Sequence, residues 1–333
     1  MDGNFTNVTS WCGEEADDMS NRTLFEVTVY SLPFVRIGIP IIILLVSVVG
    51  LVGNILVIYV IIKLWRMNIL FLNLATADLL FLIFCVPIQV LMYATKNEYV
   101  LPSWTCKLFY YLTYVTMGVS IYSLVCICVI RYIAVSKPLG SRSILHPKTN
   151  AAIVSGIIWM FTGIINIPLI LYSGVRWGPC IINTEYNWQY AVYIVLVVGF
   201  DFFIPFAVVA TLSMLIIWKV QKGQTKRMAL SLRKASPHIQ ASSKRATQHV
   251  VVMVIVITAV FALCNLPNHI LLLLLATDAV DISCAPQALK VFVVLLQVLG
   301  ISNCSINPFL YNFASSEFRK EFVKALSLRR HKH

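Results

Sequence analysis

The sequence predicts an all-α membrane protein, a seven-transmembrane helix bundle. Three observations carry that prediction. Hydrophobic residues make up 59% of the 333-residue chain and charged residues only 12%, more apolar side chain than a soluble fold of this size can hide. The apolar residues fall into seven runs, about 37–63, 68–93, 103–136, 150–172, 188–220, 247–277 and 287–313, each long enough to cross a hydrocarbon core of roughly 30 Å. The formal charge of +12 is unevenly distributed between the segments that join those runs, so it speaks for orientation in a membrane and not for nucleic acid.

Seven spans place the two ends of the chain on opposite faces. With residue 1 outside, only Arg22, Arg36, Lys96, Lys107, Arg176 and Lys290 of the 26 basic residues lie on the outer side. The positive-inside rule therefore sets the N-terminus outside. Segment 1–36 agrees, because Asn4, Asn7 and Asn21 each open an Asn-X-Thr acceptor for N-glycosylation, chemistry available only on the outer side. No cleavable signal is legible in it, and the first span is expected to direct insertion. The expected organisation is an outer glycosylated segment (1–36), the helical bundle (37–313) and an inner tail (314–333).

Cys12, Cys106, Cys180 and Cys284 fall on the outer, oxidising side, whereas Cys85, Cys126, Cys128, Cys264 and Cys304 fall within spans. Four cysteines allow three pairings. One of these ties Cys106 at the top of the third span to Cys180 in the following outer loop, and Cys12 to Cys284. The five span cysteines read as small apolar filler.

The first span carries Asn54 beside Gly53. The second carries Asp78 at the end of Asn73-Leu74-Ala75-Thr76-Ala77-Asp78, and a carboxylate at that depth is a functional hypothesis by default. The third span carries Thr113, Thr116, Ser120 and Ser123 along its length, so it must face protein and reads as the central, buried helix. The seventh carries Asn303 and Asn307-Pro308, the proline freeing a backbone carbonyl that a neighbour must satisfy. Asp78, Ser120, Asn303 and Asn307 together form an oxygen-rich set suited to Na⁺ or water.

Asn54, Asn73 to Asp78, Cys106, Arg131-Tyr132, Trp159, Pro168, Cys180, Pro205, Pro267 and Asn307-Pro308-Phe309-Leu310-Tyr311 stand in the order and spacing of one family. The chain resembles the rhodopsin-like (class A) G-protein-coupled receptors over about 37–328. The resemblance implies a plasma-membrane receptor with an extracellular ligand and a heterotrimeric G protein, which Arg131, Tyr132 and Tyr311 would engage. It also implies a short amphipathic helix over about 315–328, with Phe318, Phe322 and Leu326 on its apolar side and Arg319, Lys320 and Lys324 facing anionic lipid. Ile121, Pro205 and Phe261 match the packing switch of the family. Ligand-lining positions implied by the same resemblance are Gln89, Tyr110, Thr113, Tyr114, Met117, Asp201, Asn268, His269 and Gln297.

Departures narrow the ligand. Thr113 stands where amine receptors have an aspartate, which argues against a biogenic amine, and Ile301 where opsins have a lysine, which excludes a retinal Schiff base. Asp201, four residues before Pro205, points inward if its helix is regular, either to a cationic ligand group or to His269. Acids of the outer segments, among them Glu14, Glu98, Glu185 and Asp281, would steer a basic peptide, and a neuropeptide is the favoured ligand class. The inner loop from Ser136 to Ser143, with Pro147-Lys148-Thr149, is similar over a short stretch to the galanin, allatostatin-A and kisspeptin receptors. Ile130 replaces the acid that usually precedes the arginine, Asn265 the usual tryptophan, and Ser213 lies where a tyrosine is expected. Loss of the acid removes one restraint on the resting state, so raised ligand-free signalling is expected; the opposed reading is a seven-helix protein that does not couple. A transporter would need repeated halves, which the seven unlike spans lack. An enzyme would need paired acids or several histidines within the spans, and only Asp78, Asp201 and His269 are available. No metal centre, catalytic group or cofactor beyond Na⁺ near Asp78 is expected.

Overall fold

The structure is a computed structural model that describes Val29 and residues 32–64, 69–96, 101–136, 148–175, 180–182, 187–231, 237–277, 279–280, 285–310 and 316–326. Among these residues, seven helices are long and apolar enough to cross a membrane: α1 (Phe34–Lys63), α2 (Ile69–Ala94), α3 (Ser103–Ser136), α4 (Asn150–Tyr172), α5 (Trp188–Lys222), α6 (Ile255–Ala276) and α7 (Gln287–Leu310). Helical geometry is what lipid demands, since no water is present to satisfy backbone groups that a helix pairs internally. An eighth helix, α8 (Ser316–Leu326), comes after them. A two-stranded antiparallel ribbon, β1 (Ser173–Val175) and β2 (Cys180–Ile182), covers the outer end of α3, and a Cys106–Cys180 disulfide fastens it there.

Helix α3 is the central element, as its polar residues require. Its buried positions run from Cys106 to Cys128, and it packs on α2, α4 and α5. The helical conformation of α5 and α6 extends beyond their apolar runs, to Ser231 and back to Pro237 respectively. Apolar patterning marks only the part of a helix that lipid touches, so these polar extensions escape it.

Three spans carry a π turn. Phe34–Gly38 in α1, Phe81–Cys85 in α2 and Gly199–Phe203 in α5 each lie just before a proline, Pro40, Pro87 or Pro205. In α5 the Ile204 N–H bonds to Gly199 O, and Pro205 has no N–H to offer. That leaves Phe200 O without a helical donor, and the Tyr122 hydroxyl of α3 donates to it at 2.7 Å. The carbonyl freed by Pro308 is Cys304 O, four residues back, and Asn54 Nδ2 of α1 donates to it at 3.0 Å. Both kinks are thus satisfied by a neighbouring helix.

Helices in lipid gain little from burying apolar surface against one another, so close packing and cross-helix hydrogen bonds decide their arrangement, at about 0.6–2 kcal/mol for each bond. Asn73 of α2 donates to Ser123 Oγ of α3 at 2.7 Å and accepts from Trp159 Nε1 of α4 at 2.9 Å. Ser213 of α5 meets Thr258 of α6 at 2.8 Å, oxygen to oxygen. Ile121, Phe202, Phe261 and Leu310 form one buried cluster that joins α3, α5, α6 and α7. At the inner end Phe322 of α8 packs with Val57, Phe71 and Ile127, and Lys63 bonds to Glu321 at 2.7 Å.

Candidate functional site

The helices enclose a cavity of about 280 Å³ in the outer half of the bundle. Gln89 reaches it from α2; Tyr110, Thr113, Tyr114 and Met117 from α3; Asn268 from α6; and Gln297 from α7. These seven of the nine positions expected from the sequence are brought together. The Tyr93 hydroxyl donates to Gln297 Oε1 at 2.5 Å, which leaves the Gln297 amide nitrogen to face the cavity as a donor. Tyr93 itself has a sequence signal, because it lies one helical turn beyond Gln89 on the same face. Asn265 also lines the cavity and donates to Phe261 O at 2.9 Å, so the residue that replaces the usual tryptophan is part of the wall. Ile182, contributed by β2, has no sequence signal of its own.

Asp201 and His269 are the two exceptions. Neither is among the residues that line the cavity. Asp201 sits inside the π turn of α5, where one extra residue rotates the downstream side chains by about 100° relative to a regular helix. Its carboxyl is fully buried at the α3–α4–α5 seam, where a Cβ added to Gly118 would lie 3.6 Å from Asp201 Oδ1 and 2.8 Å from the Thr162 methyl. Neither carboxyl oxygen has a hydrogen-bond partner among the described residues. His269 does not pair with it. The His269 ring stacks on Phe202 at 4.8 Å between centroids, and Nδ1 donates to Asn265 O at 2.8 Å.

Below the cavity lies a second polar set. Asp78, fully buried, accepts from Ser120 Oγ through Oδ1 at 2.7 Å and from Asn307 Nδ2 through Oδ2 at 2.8 Å. Helices α2, α3 and α7 are thereby joined at one carboxylate. Asn303, the fourth residue expected here, lines the cavity together with Ser120 and makes no hydrogen bond to Asp78. The floor of the cavity and the Asp78 set share Ser120, which links the two sites through α3.

At the inner end of α3, Arg131 and Tyr132 are half-buried. Lys219 of α5 donates to Ser136 Oγ at 2.7 Å and lies 4.5 Å from the Tyr132 ring centre. Ile130 packs against the inner apolar cluster of α1, α2 and α3, a contact of quite different character from an acid beside the arginine. Tyr311, Cys12, Cys284, Asn4, Asn7 and Asn21 lie outside the described residues. So do Glu98, Glu185 and Asp281 of the outer rim.

Residues 53–311 match the seven-transmembrane receptor (rhodopsin family) profile, which is most of the bundle just described. The chain belongs to that family. Its members are receptors and not enzymes, and the seven helices are those of a multi-pass membrane protein. Among curated relatives, the allatostatin-A receptor of Bombyx mori is 31% identical over 305 residues, 86% of this chain and 79% of the relative. Somatostatin receptor type 5 of Rattus norvegicus is 33% identical over 301 residues, 88% of this chain and 78% of the relative. Galanin receptor 2a of Danio rerio is 29% identical over 292 residues, 84% and 75% respectively.

Proposed function

We propose that this rhodopsin-family receptor resides in the plasma membrane with its N-terminus outside, binds an extracellular neuropeptide and activates a heterotrimeric G protein. The observation that carries the reading is the outer cavity, roofed by the disulfide-held ribbon and joined through α3 to Arg131-Tyr132 at the opposite face. The names of its relatives support a peptide, since allatostatin, somatostatin and galanin are peptides. Ligand binding would shift the population toward a state in which α6 moves away and Arg131 meets the G protein, a shift that requires the ligand to favour that state. Anionic lipid would meet the exposed Arg319, Lys320 and Lys324 of α8.

The Asp78 set suits Na⁺. Its carboxylate is met by neutral donors alone, Ser120, Asn307 and the Cys304 thiol, and no described cation pairs with it, so a bound cation would balance the buried charge. Asp78, Ser120, Asn303 and Asn307 would hold the ion and bias the resting state.

The reading is tested by challenging cells that carry the surface receptor with synthetic peptides and following G-protein dissociation for each subtype. A peptide response in at least one subtype is expected; no response to any peptide would overturn it. Because Asp201 lies outside the cavity, Asp201→Asn should leave the potency of an activating peptide within about threefold, under ~0.7 kcal/mol. A much larger loss would place Asp201 against the ligand after all.

A further inference from the structure

We infer that the part of the ligand reaching the cavity bears no formal charge: the end that enters is a capped peptide end, with neither a free ammonium nor a free carboxylate. This inference rests on the reading of the cavity as the peptide site. Among the described residues, none that lines the cavity is an acid or a base. Its polar wall is made of side-chain amides, Gln89, Asn265, Asn268, Gln297 and Asn303, with the Thr113 and Ser120 hydroxyls and three phenols. The two ionisable side chains on the neighbouring stretches of α5 and α6 are both turned away, Asp201 into the α3–α4–α5 seam and His269 against Phe202.

The wall is also short of partners. Thr113 Oγ1 is buried with only the Cys85 thiol, a weak partner, beside it. Gln297 has spent its oxygen on Tyr93 and keeps its N–H groups, and no described residue holds the Gln89 or Asn268 amide. Such a wall offers donors and acceptors in neutral pairs, the complement of an amide. A charge placed there would lose its water and meet no counter-charge in the wall itself, the Asp78 carboxylate lying below the floor and already bonded to Ser120 and Asn307. The cavity volume, about 280 Å³, is at the low end for ligand sites, so it takes one or two residues of a single chain end rather than the two strands of a hairpin tip. Charged residues of the peptide would stay at the rim.

The probe is a positional-scanning library of linear hexapeptides made in four end states: both ends free, N-acetylated, C-amidated, and capped at both ends. G-protein dissociation is read in cells with surface receptor confirmed by labelling. Peptides from at least one capped series should exceed their uncapped counterparts by about 100-fold or more, the scale of rejection a buried site imposes on a group it cannot pair. Equal potency of capped and uncapped peptides, within about threefold, would overturn the inference while leaving the receptor a peptide receptor. Silence of all four series would overturn the parent reading, and this one with it. The variant Gln89→Arg supplies a cation to the wall and should shift preference toward the free-carboxylate series by about tenfold, a charge-assisted pair being the gain. An unchanged preference in that variant counts against the inference.

Discussion

Asp78→Ala should lower the thermal unfolding midpoint of the purified receptor by several degrees and remove any dependence of ligand affinity on Na⁺. The carboxylate is fully buried and is the shared acceptor of Ser120 Oγ on α3 and Asn307 Nδ2 on α7. Its removal strands the Ser120 and Asn307 donors in a buried position, at about 1–3 kcal/mol for each, and leaves a small void between three helices. The costs overlap, so a total of about 3–5 kcal/mol is the reasonable scale, as for other buried charge networks from which one member is taken. Asp78→Asn keeps the volume and one acceptor and should cost less. Unfolding is followed in detergent by a thiol-reactive dye, and affinity is measured in sodium chloride against an organic-cation chloride of equal strength. A variant that melts within a degree of the parent would show that the three-helix junction is held by something else.

Gly50→Val should be comparably damaging, for a steric reason. A Cβ at Gly50 would collide with Ser305 Oγ, lie 2.8 Å from Leu82 Cδ1 and lie 3.2 Å from the Ser305 Cα, which is backbone and cannot turn aside. One turn on, a Cβ at Gly53 would lie 2.8 Å from Pro308 Cγ. The two glycines let α1 lie against the kinked part of α7 closely enough for Asn54 to reach Cys304 O. Valine would force the helices apart, at about 1–3 kcal/mol for overpacking, and would cost Asn54 its bond across the kink as well. Surface labelling of cells should show a several-fold loss of receptor. The control is Gly156→Val on α4, where an added Cβ meets nothing within 4 Å and no loss is expected. Equal losses in the two variants would remove the steric argument.

What the sequence discloses and what it hides divide along physical lines. Seven spans are legible because lipid imposes a length and a composition on each. The Asp78–Ser120–Asn307 junction is legible because a charge at that depth needs donors and few side chains can supply them. The direction of Asp201 is hidden because a π turn changes the register without changing the composition; Pro205 nearby is its one trace. The same turn conceals the role of Tyr122, whose hydroxyl answers a carbonyl that exists only because the helix is irregular. Spacing on α7 groups Asn303 with Asp78, yet spacing gives a face and not a partner, and its side chain lines the cavity floor. The inner extensions of α5 and α6 are hidden because helix continues where apolar periodicity stops.

The central claim is that a ligand event in the outer cavity is transmitted through α3 to a G protein at Arg131. The most direct measurement compares ligand-free and peptide-stimulated G-protein dissociation in the parent receptor and in Arg131→Ala at matched surface density. The account predicts a stimulated response in the parent that is lost in the variant while peptide binding is kept. An undiminished response in the variant would contradict it. A parent that binds peptide and activates no G-protein subtype would mean that Ile130, Asn265 and Ser213 mark a receptor that does not couple.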